Sequence, residues 1–518
     1  MKYAVTGSEM KTCDRNTSEY FGVSSEVLME RASLKVVDHI LSWIHNRNCS
    51  RKYKALILCG VGNNGGDGAC IGRLLKQAGV HVNVCVVGDY TKCSDLLLKQ
   101  IDILKKYGVA TDTFSHIRDT KSPEQFDIIV DAMFGIGLSR PVTGDYAEAI
   151  SYCNHCKEER QSDLLVISVD IPSGINADNG KVMQSAIRAD ETVTFNFAKL
   201  GQLFYPGCEY SGRLYIDDVG ITVDSFLGKE PSCFYFDEPV KELVPQRRMD
   251  SNKGTNGKVL VIAGSKDISG ACILASNACF KAGAGMVRVF TVLENAEIIK
   301  TSLPEAMVDT YSEEKDITNK LQLLMDWATS VVLGPGIGTE RIAHFLVKKV
   351  LDTCEKDLIL DADALNIIAE DNELMKKAGE YARNGKRLIM TPHMGEFSRL
   401  FKKEIAECKG NMLTYPKELA DRLHCTIVCK DARTVVADSV GKKIYINMSG
   451  NDGMATAGSG DVLSGIVGAM LSHHLPLFET ACISVYLHGL SGDNAASEKG
   501  KSYMTATDII EHIGGLLE

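Results

Sequence analysis

A run of small residues near the C-terminal end of the chain precedes an acidic residue in a pattern that suits phosphoryl transfer. The segment GNDGMATAGSGDVLSGIVGAML, residues 450–471, starts as a glycine-rich turn and continues as a helical pattern, with Asp461 in the predicted first turn. Unpaired amides at a helix start stabilise anions, and an adjacent carboxylate can act as a general base. The helix dipole alone favours an acidic first-turn residue, but it does not explain the adjoining AGSG. Asp461 is therefore our candidate base.

A second glycine-rich segment lies in the N-terminal half. CGVGNNGGDG, residues 59–68, follows an apolar strand pattern and opens a helix, so its amides and the helix start can face an anion such as phosphate. It is neither a Walker loop, since Gly-Lys-Ser/Thr is absent, nor the usual dinucleotide fingerprint. A plain tight turn is the alternative, which the density of Asn63, Asn64 and Asp67 makes weaker.

Two aspartates each close an apolar strand in the same half. Asp131 is followed by MFGIGLSRPVTG, and Asp170 is followed by IPSG. Either aspartate alone could simply cap the next helix, but two strand-end carboxylates beside a phosphate loop form the rim of an active site. Oxygen ligands without histidine or cysteine pairs suit a hard cation rather than zinc.

Three further groups have both a structural and a chemical interpretation. His393, in TPHMGEFSRL, is either a packed turn histidine or part of a binding loop, which its neighbours favour. Asp361 and Asp363 could share a cation, but we expect them to shape the site, with one capping the next helix. Cys153 and Cys156 form a CxxC around a histidine without a second pair at zinc-site spacing, so we interpret them as structural.

These candidates need elements that bring strand ends together. Up to about residue 220, short apolar runs alternate with helical patterns, and a second series of this kind starts at KVLVIAG. Such alternation predicts mostly parallel sheets covered by helices, with ligands at the carboxyl ends of the strands. A proline-bearing charged segment separates the two series, so we place the boundary near Leu227, giving domains 1–226 and 227–518. The two motif sets share no spacing, and therefore are not an internal repeat.

Bulk properties agree with two ordinary α/β domains. The chain has 518 residues, of which 45% are hydrophobic and 24% are charged. A chain of this length exceeds the size that a single hydrophobic core usually supports. A net charge of −10 gives no electrostatic support for nucleic-acid binding. The most apolar late stretch, residues 462–490, is broken by polar residues and a proline, so we expect no membrane span. Because the N-terminus lacks an apolar signal core, we expect a cytoplasmic protein whose 17 cysteines are reduced.

The N-terminal motifs CGVGNNGGDG, DAMFGIGLSRPVTG and VDIPSGINADNG resemble the YjeF N-terminal family of NAD(P)H-hydrate epimerases over nearly the whole first domain. The resemblance implies interconversion of the R and S hydrates at C6 of the nicotinamide ring, with Asp170 as acid-base group. It implies a potassium site formed by Asn64, Asp131 and Ser173. The sequence departs from the family pattern at Val61, Arg31 and Ser33. The implied contacts to the hydrated nucleotide are Asn63, Asn64, Gly65, Gly66, Asp67, Gly135, Ile136, Gly137, Leu138, Ser139, Arg140, Pro141 and Asp170.

The segment around Asp461 resembles the ribokinase-like superfamily, and its neighbours narrow that likeness. DSNKGTNGKVLVIAGS, KAGAGMVRV, LGPGIG, LDADALN, TPHMGEFSRL, KDARTVVAD and VYLHGLSGD resemble the NAD(P)H-hydrate dehydratase family over almost all of the second domain. The implied contacts to the hydrated cofactor are Ala284, Gly338, His393, Met394, Gly395, Glu396, Phe397, Ser398, Arg399 and Asp461. Those implied for ADP or ATP are Lys430, Asp431, Ala432, Arg433, Thr434, Asn451, Asp452, Gly453, Met454, Ala455, Thr456, Ala457, Gly458, Ser459 and Gly460.

Together the resemblances imply a Rossmann-like three-layer α/β/α domain followed by a ribokinase-like α/β domain. The implied reaction removes water from the S hydrate, driven by ADP or ATP with Mg²⁺, and phosphorylation of the hydroxyl would make it a good leaving group. Fusion of both activities favours ADP by resemblance alone, and we expect a homo-oligomer. Two alternatives stay open: a small-molecule kinase of the ribokinase type, and a first domain that binds nucleotides without catalysis.

Overall fold

The computed structural model describes residues 1–47, 51–121, 125–238, 244 and 249–516. It divides into two compact units, one spanning Tyr3–Pro231 and the other combining Ser232–Glu518 with the first two residues. The division falls in the proline-bearing segment that follows Leu227. Both units are built from mostly parallel sheets and helices, which confirms the prediction of two α/β domains. Within these described ranges, none of the helices is long and apolar enough to cross a bilayer.

The first unit alternates strands and helices along the chain. Its strands are β1 (Lys2–Val5), β2 (Lys54–Cys59), β3 (His81–Val86), β4 (Thr111–Thr113), β5 (Ile128–Ala132), β6 (Leu165–Val169), β7 (Glu191–Phe195), β8 (Ala198–Lys199) and β9 (Arg213–Asp217). Its helices are α1 (Gly7–Glu19), α2 (Ser25–Asn46), α3 (Asn63–Gln77), α4 (Asp95–Lys106), α5 (Phe114–Thr120), α6 (Asp145–Arg160), α7 (Leu200–Leu203) and α8 (Gly207–Ser211).

The main sheet of the first unit has the order β4-β3-β2-β5-β6-β7-β9, with every pair parallel. The chain adds β3 and β4 on one side of β2 and the later strands on the other. The loops after β2 and β5 therefore part in opposite directions, which opens a crevice at their carboxyl ends.

Both faces of this sheet are buried, as the unbroken apolar runs predict. Ile57 of β2 packs with Ile71 of α3 in one core. Its neighbour Leu58 packs with Ile150 of α6 in a second core. Because successive strand residues point to opposite faces, the two cores lie on the two sides of the sheet. The result is the expected three-layer α/β/α arrangement.

The second unit repeats this alternation with different lengths. Its strands are β10 (Cys233–Tyr235), β11 (Lys258–Ile262), β12 (Met286–Val292), β13 (Met307–Tyr311), β14 (Ser330–Leu333), β15 (Asp357–Leu360), β16 (Leu388–Met390), β17 (Thr426–Cys429), β18 (Val435–Asp438) and β19 (Ile444–Ile446). Its helices are α9 (Gly270–Lys281), α10 (Ala296–Ser302), α11 (Glu314–Trp327), α12 (Arg341–Thr353), α13 (Asp363–Glu370), α14 (Asn372–Arg383), α15 (Met394–Phe401), α16 (Ile405–Lys409), α17 (Tyr415–Leu423), α18 (Ser459–Leu471), α19 (Leu477–Lys499) and α20 (Ala506–Glu511).

The strands of the second unit follow the order β13-β12-β11-β14-β15-β16-β17-β18-β19-β10. The strands from β13 to β17 in this order are parallel, and β18 then pairs antiparallel with β17 and β19. Helix α18 packs between α9 and α19 and against β14. Most of α18 is buried, so its apolar sequence reflects burial within the domain rather than a membrane.

The turn after β2 depends on glycine because two backbone segments meet there. A side-chain carbon added to Gly65 would lie 1.8 Å from the carbonyl oxygen of Gly60. One added to Gly60 would lie 1.9 Å from the carbonyl oxygen of Met133, in the loop after β5. Gly62, in the same turn, has open space at the corresponding position. The loops after β2 and β5 can therefore approach this closely only with glycine at the two crowded positions.

We predict that Gly65→Ala destabilises the protein by about 1–3 kcal/mol, as overpacking of a tight site does. Without a clash, alanine would stabilise the helix by about 0.5–1 kcal/mol relative to glycine. A decrease in the free energy of unfolding of Gly65→Ala would therefore indicate the clash. The matched control is Gly62→Ala, which should leave the thermal unfolding profile close to that of the wild type. Calorimetry of the three proteins measures this, and a Gly65→Ala variant as stable as the wild type would contradict the proposed crowding.

Candidate active sites

A cavity of about 1000 Å³ lies in the first unit, where the loops after β2, β5 and β6 meet. Helices α1 and α2 contribute to its lining together with these loops. Ten of the residues assigned to the hydrated nucleotide from the sequence line it: Asn63, Asn64, Asp67, Gly135, Ile136, Gly137, Leu138, Ser139, Arg140 and Asp170. Gly65 and Gly66 are instead buried inside α3, and Pro141 lies exposed outside the lining.

Asp170 follows β6 directly and is held in an unusual conformation. Its φ of 67° lies in the left-handed region, which aspartate adopts more readily than most residues. The Nζ atom of Lys199 donates to its Oδ1 at 2.5 Å, and the hydroxyl of Thr194 donates to the same oxygen at 3.2 Å. Its other oxygen, Oδ2, lies toward Gly135 in the cavity lining. One carboxylate oxygen is thus occupied by the protein while the other faces the ligand space.

Lys199 is a functional candidate that the sequence motifs missed. It is only 1% exposed and donates also to the hydroxyl of Thr194 at 2.7 Å. Gln202 supports the same corner by donating to the carbonyl oxygen of Asp170 at 2.6 Å. The signal that could have found Lys199 is its position in VTFNFAKLG, just after β7, because the carboxyl ends of neighbouring parallel strands lie close together.

Asp131 is fully buried beneath the cavity and does not line it. Its Oδ1 accepts from the hydroxyl of Ser173 at 2.6 Å, and its Oδ2 accepts from the Ser173 amide at 2.8 Å. Ser168 donates to Oδ2 at 2.9 Å. Burial raises the pKa of Asp131, which these hydrogen bonds oppose. The structure therefore brings together Asp131 and Ser173, two of the three residues assigned to potassium.

Asn64 has a buried side-chain amide group, and its Nδ2 has no hydrogen-bond partner among the described residues. The oxygen and nitrogen of an asparagine amide can exchange places by rotation, so this position can present an oxygen ligand instead. A cation held there would offset the buried charge of Asp131, whose hydrogen-bond donors are all neutral. The oxygen atoms of Asn64, Asp131 and Ser173 are donors of the kind that a hard cation would take.

The departures from the family pattern on α2 make structural contacts. Arg31 donates to the carbonyl oxygen of Val219, and Ser33 donates to the carbonyl oxygen of Asp67 at 3.2 Å. Their neighbours Met29 and Ala32 line the cavity. Arg31 and Ser33 therefore do not prevent α2 from lining the cavity.

In the second unit, Asp461 lies in the first turn of α18, as predicted. Gly458, the residue just before the helix begins, has a φ of 87°, a left-handed conformation that favours glycine. Amides in the first turn of a helix have no partner within that helix and are available to an anion. Burial and the neighbouring Asp361 carboxylate raise the pKa of Asp461 to about 7, and Lys430 opposes this shift. Asp461 can thus take up a proton near neutral pH.

Asp361 and Lys430 form an ion pair at the carboxyl ends of β15 and β17. Their Nζ–Oδ1 distance is 2.8 Å, and Asp361 is 1% exposed. The hydroxyl of Ser464 on α18 donates to the other oxygen of Asp361 at 2.5 Å. Burial alone would lower the pKa of Lys430, but Asp361 and Glu396 raise it. Lys430, assigned to the nucleotide from the sequence, therefore also neutralises Asp361.

Asp363 shapes the site differently from its neighbour. It begins α13, and its Oδ2 accepts from the amide of Gly338 at 2.9 Å. Gly338 has a φ of 76°, in the loop that follows β14. Within the described part of the chain, no three His, Cys, Asp or Glu side chains are grouped as a metal site. Asp361 and Asp363 thus bind protein groups, but the expectation that one of them caps the next helix is wrong, because the N-cap residue of α13 is Ala362 and no side chain caps it.

His393 caps α15. Its Nδ1 accepts from the amide of Gly395 at 2.9 Å, and its own amide donates to Glu396 at 2.8 Å. Burial lowers the pKa of His393 and raises that of Glu396 to about 7. Because Nδ1 is an acceptor, the proton of the neutral ring is on Nε2, which lies 3.3 Å from Oε1 of Glu396, and about half of the His393 side chain is exposed. Of the stretch 393–399, Met394, Glu396 and Phe397 are buried, which limits their direct contact with a ligand.

Asp493 anchors the glycine-rich loop before α18. Its carboxylate accepts from the amide of Gly450 at 2.8 Å and from the Nδ2 of Asn451 at 2.9 Å. The Oδ1 of Asn451 in turn accepts from the amide of Gly453 at 3.0 Å. The start of the nucleotide stretch 451–460 assigned from the sequence is thus held by a residue of α19 that the motif VYLHGLSGD contained without a stated role.

Ala284 does not lie near Asp461. It precedes β12 and therefore sits at the amino end of the strands, where Gly283 approaches His473 beyond the end of α18. Asp461 is at the other end of α18, roughly 16 Å away along the helix. The alanine that does lie beside the loop after β14 is Ala271, at the start of α9 and in contact range of Gly336.

The remaining nucleotide assignments, Asp431, Ala432, Arg433 and Thr434, form the turn between β17 and β18. The carbonyl oxygen of Thr434 accepts from the amide of Asn447 at 2.9 Å, which ties the turn to β19. Ala432 is exposed, and the other three residues are partly exposed. The turn is accessible at the same strand end as Lys430.

Comparison with known proteins gives matches over both units. The family described as YjeF-related protein N-terminus matches residues 25–201, and the family described as NAD(P)H-hydrate dehydratase matches residues 259–514. The bifunctional NAD(P)H-hydrate repair enzyme Nnr of Thermofilum pendens is 37% identical over 98% of this chain and 94% of its own length. The enzymes of the same description from Moorella thermoacetica and Escherichia coli are 33% and 34% identical, over 99% and 88% of this chain and 96% and 83% of their own lengths.

We predict that Lys430→Met destabilises the second unit by about 3–5 kcal/mol, because it leaves the Asp361 carboxylate buried without its cation. The double variant Lys430→Met/Asp361→Asn removes both charges and should recover part of that loss. Urea unfolding of the two single variants and the double variant measures the coupling. Additive losses would show that the ion pair contributes nothing to the stability of the site.

Proposed function

Because the chain belongs to the family of bifunctional NAD(P)H-hydrate repair enzymes, we propose that its two domains divide the repair of hydrated nicotinamide nucleotides. The first domain, residues 1–226, interconverts the R and S hydrates of NADH and NADPH. The second, residues 227–518, dehydrates the S form at the expense of ADP or ATP. One observation carries this assignment above the others: Asp461 stands beside the first-turn amides of α18 in the unit that matches the dehydratase family.

In the second domain the residues prepare a hydroxyl group for phosphorylation. Asp461 takes the proton of the C6 hydroxyl while the hydroxyl oxygen forms a bond to the terminal phosphorus of the nucleotide. The first-turn amides of α18 stabilise the charge on that phosphoryl group while its bond to the nucleotide breaks. Loss of phosphate from C6 and of a proton from C5 then restores the C5–C6 double bond. Asp361 and Lys430, which form an ion pair, have opposite effects on the pKa of Asp461: Asp361 raises it and Lys430 lowers it.

The nucleotide is assigned to residues 451–460 and 430–434, which are all at least partly exposed except Ser459. Mg²⁺ supplies charge neutralisation on the phosphates during transfer. Since the described residues offer no three-ligand metal cluster, we assign most of its ligands to the phosphate oxygens. A small-molecule kinase is disfavoured, because the family matching residues 259–514 is a dehydratase family.

In the first domain, Asp170 is the proposed acid-base group and the cavity above it the substrate site. Lys199 holds one oxygen of Asp170, so the reacting oxygen is oriented before substrate arrives. Asn64, Asp131 and Ser173 are the proposed K⁺ ligands, and K⁺ there would balance the buried Asp131 charge. We also propose a cytoplasmic location and a homo-oligomeric state, and we retain ADP as the preferred nucleotide.

The central test is conversion of purified hydrates followed by the recovery of reduced-nicotinamide absorbance. The wild type should convert both R and S hydrates, and Asp461→Asn should lower dehydration of the S form by a factor on the order of 10² or more. Since Asp461 must be ionised to accept a proton, wild-type activity should fall as pH drops below about 7. Asp461→Asn should lose this acid limb. Near-normal turnover by the variant would remove Asp461 from the mechanism.

A second prediction concerns potassium. Replacing K⁺ by Na⁺ should slow epimerisation of the R hydrate, and Ser173→Ala should raise the K⁺ concentration needed for half-activation on the order of tenfold. Asp131→Ala should have the larger effect, since it removes the charged ligand. Dehydration of pure S hydrate by the same preparations is the control and should be unchanged. Epimerisation that is indifferent to K⁺ in the wild type would refute the assignment.

A further inference from the structure

Asp14 adds a carboxyl group of helix α1 to the lining of the cavity in the first unit. Asp14 is on α1 and lines the cavity together with Asp170. Helix α1 is fastened at both ends: the amide of Gly7 donates to Asp178 at 2.7 Å, and Asn16 donates to the carbonyl oxygen of Ser225 at 2.8 Å. The helix that carries Asp14 is thus fixed in place, and Asp170, which follows β6, belongs to the same cavity lining.

We propose that Asp14 and Asp170 form the acid-base pair of epimerisation, each carboxyl serving one face of the nicotinamide ring. This inference rests on the proposed epimerase function of the first domain. It gives α1, which carries none of the recognised motifs, a direct part in the chemistry.

The step is balanced by water. A protonated carboxyl on one face donates its proton to the C6 hydroxyl, the C6–O bond breaks, and the N1 lone pair forms a C6=N1 iminium as water leaves. A second water molecule adds to C6 from the other face, the iminium electrons return to N1, and the ionised carboxylate there accepts the proton of that water. The product is the other epimer, and the two carboxyls have exchanged protonation states, ready for the reverse direction.

The two carboxyl groups have different charged neighbours. Lys199 pairs with Asp170 at 2.5 Å, whereas the Asp14 carboxyl receives no hydrogen bond from the described residues and is attracted by Lys199 only at longer range. Burial raises the pKa of Asp14 to about 6, Lys199 opposes the shift, and Asp170 adds to it. Asp14 is therefore suited to carry the proton, while Lys199 holds one oxygen of Asp170.

Asp67 also lines the cavity but is less suited to this exchange. Burial, with Asp170 and Asp14 nearby, raises its pKa well above the usual range. The more strongly raised pKa makes the proton of Asp67 harder to release than that of Asp14. The charged and titratable groups that share the cavity with Asp14 are Lys11, Arg15, Glu19, Asp67, Arg140, Tyr146, Asp170 and Lys199, and Cys13 lies beside it on α1.

The test compares wild type, Asp14→Asn and Asp14→Glu on pure R hydrate, with spontaneous epimerisation subtracted. Asp14→Asn should lower kcat/KM for epimerisation on the order of 10²-fold, and Asp14→Glu should recover part of the activity. In the wild type the rate should decline as pH rises through about 6, because the Asp14 proton is lost, and this limb should be absent in Asp14→Asn. Epimerisation in water labelled with oxygen-18 should place the label in the product hydroxyl.

The matched control is Asp38→Asn, an exposed aspartate of α2, which should behave as the wild type. Thermal unfolding and dehydration of pure S hydrate check that Asp14→Asn is folded. If the wild type fails to interconvert the hydrates, the proposed epimerase function falls, and this inference with it. If the wild type epimerises and folded Asp14→Asn stays within twofold of it, or if the product gains no label, only the inference about Asp14 is overturned.

Discussion

In each unit a lysine lies among more carboxyl groups than it can neutralise. Lys199 pairs with Asp170, and Lys430 pairs with Asp361. Removing a charge from water is costly unless it is paired, so the carboxyl groups left over bind protons more readily than usual. In the second unit Asp461 is such a group, with its pKa raised to about 7. The same imbalance that penalises ionisation thus supplies groups able to exchange protons near neutral pH.

This charge arrangement depends on parallel sheets. The carboxyl ends of neighbouring parallel strands meet at one edge, so residues far apart in sequence can surround one lysine. Asp361 and Lys430 come from β15 and β17, and α18 adds Ser464 and Asp461 from farther along the chain. Glycines such as Gly60 and Gly65 let adjoining loops approach more closely than a side chain allows. The close approach of the loops and the pairing of charges therefore both occur at the carboxyl edge of the sheet.

Sequence reasoning located the parts of both sites that follow directly from local pattern. Strand-ending aspartates, the glycine-rich turn before α3 and the helix start at Asp461 were all predictable, because each depends on neighbours within a few residues. It did not find Lys199 or Asp14, which act through residues distant in sequence. It also assigned Ala284 to the site of Asp461, although a glycine-rich turn before a strand lies at the amino edge of the sheet.

The sequence by itself determined the two α/β domains, since strand and helix patterns repeat with their own periods and apolar runs require burial on both faces. It also determined which loops are rich in glycine and acid. Only the tertiary structure decided which carboxyl meets which cation: Asp131 meets serines, Asp170 meets Lys199, and Asp361 meets Lys430. The physical reason is that charge pairing and desolvation depend on distance in space, which strand order sets and local sequence does not record.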